Sequence, residues 1–417
     1  MAKKLRIGVF GGARGTAMIE ALLHHPEAEL AAVCDRYEPL LVQAQKKAEE
    51  LGQHIALFKN FDDFIAYDLD AVVLANYATE HTPFAVRALN AGKHVMSEVL
   101  PSQTMAEAVE LIETVERTGL VYTYAENYCY MDKTFEMWKR YREGAIGEVT
   151  HASCEYIHDC AACWLDITYG DKDHWRNHLC PTFYCTHSLG PILMMTSHRP
   201  VQVVGFENPP IEEFYHLGHA GGHSSGIEMV TLDNGATVQS IHGPLKREPA
   251  HTTYEVYGTK GYLGTTPDGQ VTCYQEGPET CKGESKTYAP VPFVASEQRK
   301  ESKLNTHGGG DFYPTHLFIE KILGKPDGRW AIDVYQAVDM GICGILAFRS
   351  ILNGNQPVKV PDLRDPAQRD AYRNDCACTD PKVAGDQLLP CSSYPERVIP
   401  DEESEALRAR WLERQAK

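Results

Sequence analysis

The stretch Leu5-Arg6-Ile7-Gly8-Val9-Phe10-Gly11-Gly12-Ala13-Arg14-Gly15 decides the architecture. An apolar run ends in a glycine cluster, and helical spacing starts at once with Met18, Ile19, Ala21, Leu22 and Leu23. A strand–turn–helix unit of this kind seats an anion, because unpaired backbone N–H groups and the positive end of the helix dipole face it together. Glycine is needed in the turn because a side chain would block a pyrophosphate. A second apolar run, Leu30 to Cys34, ends at Asp35. That is about 20 residues on, where an acid takes the ribose hydroxyls of NAD. Read as G-x-G-x-x-G from Gly11, the turn puts Ala13 and Thr16 at the second and third glycine positions, so the argument rests on the whole unit rather than on the motif. Gly11, Gly12, Ala13, Arg14, Gly15 and Asp35 are the cofactor-binding candidates. Arg36 follows the acid and suits a 2′-phosphate, so NADP stays open beside NAD.

Outward from this unit, residues 1–126 alternate strands and helices. Asp70 to Ala75 is a buried strand ending at Asn76, and His94 to Ser97 is another, ending at Glu98. Thr82-Pro83 has the signature of a helix start, Thr104 and Glu107 of a capping box, and Gly52, Gly92 and Gly119 of helix stops. Val121–Tyr124 leads to Glu126. This order predicts a doubly wound parallel sheet with ligand sites at the carboxyl ends of its strands. From about residue 149 the pattern changes to short alternating strands, with Asn234-Gly235 predicting a type I′ hairpin turn. Helices return near 312–323 and 334–353. From Asp362 the chain is polar and ends in a charged helix, 402–415, predicted as a surface arm reaching a neighbouring subunit. The expected fold class is α/β plus α+β: a dinucleotide-binding domain (1–126), a domain on a mostly antiparallel open sheet (127–365), and a polar arm (366–417).

The chain has 417 residues and a formal charge of −17, which argues against nucleic acid and anionic membrane as partners. We expect no apolar run long enough to span a bilayer. Met-Ala-Lys-Lys leads straight into the first strand, so no signal sequence is expected, and the 13 cysteines are expected as reduced thiols of a cytoplasmic protein. Cys160-Ala-Ala-Cys163, with Cys180 and Cys185, lacks a second C-x-x-C, and no metal is expected.

Three clusters in the second half carry titratable chemistry. Tyr156 and His158, two apart on a strand, share a face. Tyr184 and His187, three apart in a segment read as helix from Pro181 to Gly190, share another. His174-Trp175-Arg176 lies between them. Pro191 has no N–H to give the carbonyl of His187, which leaves that turn open. His307-Gly-Gly-Gly-Asp311 reads as a glycine-rich loop. Two Tyr–His pairs with an arginine suit a polyhydroxylated ligand.

Residues 5–365 resemble the glucose–fructose oxidoreductase/inositol dehydrogenase family (Gfo/Idh/MocA). The matching pieces are the glycine turn, Asp35, Asn76–His81, Ala91–Glu98, Gly258-Thr-Lys-Gly261 and Ile332-Asp-Val-Tyr335. Dehydrogenases of the family carry Glu-Lys-Pro where this chain has Glu98-Val99-Leu100-Pro101, so their catalytic lysine is replaced by Val99. In this the chain resembles the NAD-dependent glycosidase branch, glycoside hydrolase family 109. Glu126-Asn-Tyr-Cys-Tyr130, Tyr156-Ile-His-Asp159, Trp175-Arg176, Tyr184–Pro191 and His307-Gly-Gly309 point the same way.

The resemblance implies cofactor contacts at Asn76, His81, Glu98, Asn127 and Trp175, besides the turn, Asp35 and Arg36. It implies substrate contacts at Glu126, Arg176 and His307, and catalytic roles for Tyr156, His158, Tyr184 and His187. The implied substrate is a glycoside or sugar, and the implied assembly a homodimer or homotetramer. The implied reaction is hydrolysis by transient oxidation at C3, elimination across C1–C2, water addition and re-reduction. The alternatives are an NAD(P)-dependent sugar dehydrogenase and a non-catalytic cofactor-binding regulator.

Overall fold

The computed structural model describes residues 3–247, 250–279, 282–291, 299–300, 304 and 306–415. The chain forms two compact units, each discontinuous: Met1–Lys139 with Ala289–Val338, and Arg140–Tyr288 with Asp339–Lys417. The first unit therefore runs past residue 126 and takes back a later segment that the sequence reading had given to the second domain. The reason is packing. Phe318 and Ile319, on helix Tyr313–Ile322, are fully buried in the same core as Ile7, Val9, Leu22 and Val73. Periodicity reports local structure and carries no signal of such a return.

The first unit holds six parallel strands, β1 (Leu5–Phe10), β2 (Ala28–Cys34), β3 (Ala56–Phe58), β4 (Ala71–Leu74), β5 (His94–Ser97) and β6 (Tyr122–Tyr124). Their order is β3-β2-β1-β4-β5-β6, the doubly wound Rossmann arrangement. The strands read as continuous apolar runs because helices cover both faces of such a sheet. Thr104 caps helix Met105–Thr118 by accepting from the N–H of Glu107 at 3.0 Å, and Gly119 ends it at φ +64°. Thr82 departs from expectation. Its helix begins at His81 instead, and the threonine hydroxyl donates to the carbonyl of Pro101 at 2.6 Å.

The second unit is built on nine strands: β7 (Val149–Ile157), β8 (Pro200–Glu207), β9 (Gly226–Leu232), β10 (Thr237–Gly243), β11 (His251–Gly258), β12 (Gly261–Thr265), β13 (Val271–Glu276), β14 (Gly283–Tyr288) and β15 (Val358–Lys359). Their order is β14-β13-β12-β11-β7-β10-β9-β8-β15, antiparallel except where β7 and β10 run parallel. β12, β14 and β15 were not read from the sequence. β14 is exposed along nearly its whole length and polar, so it has no alternating signal. The β9–β10 hairpin is not type I′. Gly235 has φ +84° but Asn234 is not left-handed, and the side-chain oxygen of Asn234 instead accepts from the N–H of Ala236 at 2.9 Å.

One further expectation is corrected. Helix Val334–Leu352 is long and apolar enough to cross a membrane, but 83% of its apolar window is buried inside the protein. The last helix, Asp401–Gln415, lies on its own unit, with Leu407 and Trp411 packed against Leu165 and Tyr169.

Candidate active site

In the first unit the glycine turn is shaped by contact, not only by torsion. A Cβ on Gly11, whose φ is +99°, would lie 2.3 Å from the carbonyl oxygen of Ala75, and one on Gly15 would lie 2.1 Å from that of Gly11. Helix Thr16–His24 starts with no side chain on its free N–H groups, which leaves them for an anion. Asp35 stands at the end of β2 with both carboxylate oxygens held by backbone: Oδ2 by Gly12 N–H at 2.6 Å, Oδ1 by Tyr37 N–H at 2.8 Å. Arg36 is exposed, its guanidinium 5.8 Å from the ring centroid of Tyr77. Asn76, at the end of β4, has a buried Oδ1 with no partner among the described residues. An orphaned buried acceptor, a glycine cradle and an uncapped helix start together fit a dinucleotide.

Arg14 is the link to the remaining cofactor candidates. Its guanidinium meets Glu98 Oε1 at 2.7 Å and Asp311 Oδ1 at 3.1 Å. Asp311 also accepts from Asn127 Nδ2 at 2.8 Å, from His307 Nδ1 at 2.7 Å and from the hydroxyl of Thr306. Burial alone would raise the Asp311 carboxyl. The His307 hydrogen bond and the Arg14 charge outweigh it and hold the group well below the usual carboxylate range. The same two carboxylates push the Arg14 guanidinium up against the effect of its burial.

Asp311 was seen in the sequence only as the end of a loop. No spacing rule pairs it with a residue 297 positions away. His307, expected at the sugar, is its partner here, half-exposed and at φ +48°. His81 is buried, its Nδ1 3.0 Å from the carbonyl of Leu100, and burial lowers it to about 4, so it is neutral near pH 7. Glu126 is fully buried and accepts from Tyr128 N–H at 3.2 Å. Val99, at the place of the missing lysine, is buried.

The second unit gathers the other candidates into one cluster of rings. Tyr156 lies one residue before the end of β7 and points to the same side as His158, whose Nδ1 accepts from the Tyr156 hydroxyl at 3.3 Å in the tautomer protonated at Nε2. The ring of His187 sits 4.8 Å from Tyr156 and 5.6 Å from Tyr184, centroid to centroid. Tyr184 stacks on Trp175 at 6.2 Å, and the Arg176 guanidinium lies over both, 4.3 Å from Trp175 and 5.4 Å from Tyr184. Trp175, expected at the cofactor, thus belongs to this ring cluster. His174 orients the pair by accepting from Arg176 N–H at 3.2 Å. Its own burial, with the Arg176 charge next to it, lowers it to about 3.

Tyr184 is not helical. The segment 181–185 forms turns closed by Phe183 N–H to Cys180 and Cys185 N–H to Thr182, and the helix is Thr186–Thr196. The Tyr184 and His187 rings still meet, because one further turn bond, His187 N–H to Tyr184 at 3.4 Å, keeps them three residues apart on one side. The cysteines of this region make separate contacts. Cys185 donates to the carbonyl of Met340, Cys180 packs with Phe348 and Ile351, and Cys160 contacts His158.

The carbonyl that Pro191 leaves open is filled from elsewhere. The hydroxyl of Tyr254, a fully buried residue of β11, donates to the carbonyl oxygen of His187 at 2.6 Å. This tyrosine fixes the height of the His187 backbone, and no local pattern announces it. Tyr254→Phe removes this hydrogen bond from a buried carbonyl and should cost about 1–3 kcal/mol in urea unfolding. Adding Pro191→Ala restores the missing N–H and should recover part of that loss. Additive losses in the double variant would refute this account.

Residues 5–126 match the oxidoreductase family with an NAD-binding Rossmann fold, and residues 218–368 match the C-terminal domain of glycosyl hydrolase 109. A glycosyl hydrolase family 109 protein of Solibacter usitatus is 29% identical over 86% of this chain and 88% of its own length. An alpha-N-acetylgalactosaminidase of Bacteroides fragilis is 24% identical over 86% of this chain and 92% of its own. Among solved structures, levoglucosan dehydrogenase in complex with NADH and L-sorbose shares the fold at TM-score 0.66 and 16% identity, covering 86% of this chain and all of that one. An NAD-binding oxidoreductase of Klebsiella pneumoniae does so at 0.67 and 16%, covering 86% and 99%. Residues 5–126 thus match the NAD-binding domain of the Gfo/Idh/MocA oxidoreductases and residues 218–368 the C-terminal domain of glycosyl hydrolase 109, in a chain similar over 86% of its length to glycosyl hydrolase family 109 proteins.

Proposed function

We propose that the protein is an NAD-dependent glycosidase that cleaves its substrate by oxidation at C3 and elimination across C1–C2. The observation that carries this reading is the ring cluster of the second unit, with His187 between Tyr156 and Tyr184 and Arg176 beside them. Hydrolysis by this route needs two separate proton transfers, one from the C3 hydroxyl and one from C2, and phenol and imidazole groups suit both. It does not use the facing pair of carboxylates on which ordinary glycosidases rely. The two acids flanking the first pair are engaged elsewhere: Asp159 by Lys246 at 3.0 Å and by Ala161 N–H at 3.1 Å, and Glu155 by the Thr253 hydroxyl at 3.1 Å.

Bound NAD⁺ would supply a reversible hydride acceptor for the C3 carbon. The first unit offers its seat: Gly11–Gly15 at the pyrophosphate, Asp35 at the ribose hydroxyls, and the Arg14–Glu98–Asp311–Asn127 network around the rest. Asp35, held by two backbone donors, favours NAD over NADP. His187, with Tyr184, takes the C3 hydroxyl proton. The resulting ketone acidifies the C2 proton, which Tyr156 removes with His158 on its hydroxyl. Arg176 steadies the enolate oxygen, and Glu126 anchors a hydroxyl. The leaving group departs from C1, water adds to the unsaturated ketone, and the protons return by the same groups. The substrate is a glycoside with a free C3 hydroxyl and a hydrogen on C2. The relative named alpha-N-acetylgalactosaminidase makes N-acetylated amino sugars the first class to try.

Turnover in D₂O tests the route. Chromogenic glycosides of both anomers should release a sugar carrying deuterium at C2, with no net build-up of NADH. Release without deuterium would exclude elimination. Stoichiometric NADH with an oxidised sugar would make the protein a dehydrogenase.

A further inference from the structure

The segment between the two Tyr–His pairs contains chemistry that the proposed reaction does not use. Cys160 is the cap residue of the short helix Ala161–Ile167, and Cys163 is one turn inside it. The N–H of Cys163 bonds to the carbonyl of Cys160 at 3.1 Å, and its thiol reaches the same carbonyl at 3.4 Å. Both residues are partly exposed, whereas most cysteines among the described residues are buried. The Cys160 thiol in turn lies 3.0 Å from His158 Nδ1, the atom that takes the Tyr156 hydroxyl.

We propose that Cys160 and Cys163 are a dithiol pair that hydroperoxides convert to a disulfide, and that this oxidation withdraws the Cys160 S–H from His158. The chemistry balances on residues present and one co-reactant, hydrogen peroxide or an organic hydroperoxide. The Cys163 thiolate attacks a peroxide oxygen. An S–O bond forms, the O–O bond breaks, and the departing hydroxide or alkoxide takes a proton. Cys160 then attacks that sulfur, the S–S bond forms, and the S–OH bond breaks to release water. The proton of Cys160 passes to His158 Nδ1 on the way. Two electrons leave the pair and reduce one peroxide.

The charges around the pair favour these roles. The neighbouring Cys160 sulfur is the largest influence on Cys163. With the positive charge of Arg176 it outweighs burial and the carboxylate of Asp166, bringing Cys163 down to about 7, so a large fraction is thiolate at neutral pH. Cys160, beside the Cys163 sulfur, partly buried and facing Asp159, is held well up and stays a thiol. A low thiol next to a high one is the division between an attacking and a resolving cysteine.

The disulfide is independent of the proposed glycosidase reaction; only its effect on His158 and Tyr156 rests on that reading. The full chain is treated with hydrogen peroxide, quenched in acid, alkylated and digested with trypsin. The peptide 143–172 carries Cys154, Cys160 and Cys163. It should lose two alkylation sites, weigh two hydrogens less before alkylation, fragment with 160 and 163 linked, and revert with dithiothreitol. Cys163→Ser should abolish the linkage. Full alkylation after peroxide, sulfinic acid without a linkage, or a zinc ion retained on the untreated pair would each overturn the proposal. In the second arm, peroxide should suppress glycoside cleavage by the wild type reversibly and spare Cys163→Ser. A linked peptide with unchanged cleavage would remove the coupling to His158 and leave the disulfide standing. If no glycoside is cleaved by either form, the reading of the site fails while the peptide result still decides the disulfide.

Discussion

His187→Ala lowers glycoside cleavage by about 10²–10⁴-fold, the usual worth of a positioned acid–base group. It leaves NAD binding unchanged, because His187 belongs to the second unit and every residue of the proposed NAD seat to the first. His187 is suited to the first proton transfer since its ring is the common neighbour of Tyr156 and Tyr184. Its backbone is fixed by Tyr254, so truncation removes the imidazole without freeing the chain. Loss of the first transfer should also stop deuterium entering C2 and stop any transient reduction of the nicotinamide. Tyr156→Phe is the contrast. It blocks the later transfer, so mixing with substrate should still give a burst of nicotinamide absorbance, with no sugar released and no deuterium at C2. Thermal unfolding of both variants guards against a trivial loss of fold. Wild-type turnover in His187→Ala would displace the site altogether. A burst in His187→Ala and none in Tyr156→Phe would exchange their roles.

What the sequence disclosed follows from the range over which each feature is determined. The parallel sheet was legible because its strands are buried on both faces and each ends at a turn residue: Gly11 after β1, Asp35 after β2, Asn76 after β4. The ring cluster was legible in part because period-2 and three-residue spacing place Tyr156 with His158 and Tyr184 with His187 whatever the exact secondary structure. Tyr184 shows this, since it keeps its neighbour even though it lies in a turn rather than a helix. Features that come from long-range pairing were not legible. Asp311 gains its meaning from Arg14 and Asn127, and Tyr254 from the strand register that brings β11 beside β7. The open carbonyl of His187 was legible as a vacancy, because proline has no N–H; its partner was not.

Gly11→Ala should cost the protein its cofactor. A methyl group there meets three backbone atoms at once: the oxygen and carbon of Ala75 at 2.3 and 2.4 Å and the nitrogen of Asn76 at 2.6 Å. Backbone cannot rotate away as a side-chain tip does, so the ends of β1 and β4 must part. The φ of +99° adds to the strain. A left-handed conformation costs a non-glycine residue about 1–2 kcal/mol, and overpacking about 1–3 kcal/mol more. The strain falls on the turn that would seat the pyrophosphate and on Asn76, whose buried Oδ1 awaits a partner. NAD affinity should therefore drop by roughly 100-fold, equivalent to about 2.7 kcal/mol, and added NAD should no longer raise the melting temperature. Gly119→Ala is the control. Its φ is +64° but nothing lies within 4 Å of the new methyl, so it should lose about 1 kcal/mol of stability and no NAD affinity. Equal NAD affinity in Gly11→Ala and the wild type would mean that the dinucleotide sits elsewhere and that the glycine turn is only a tight turn.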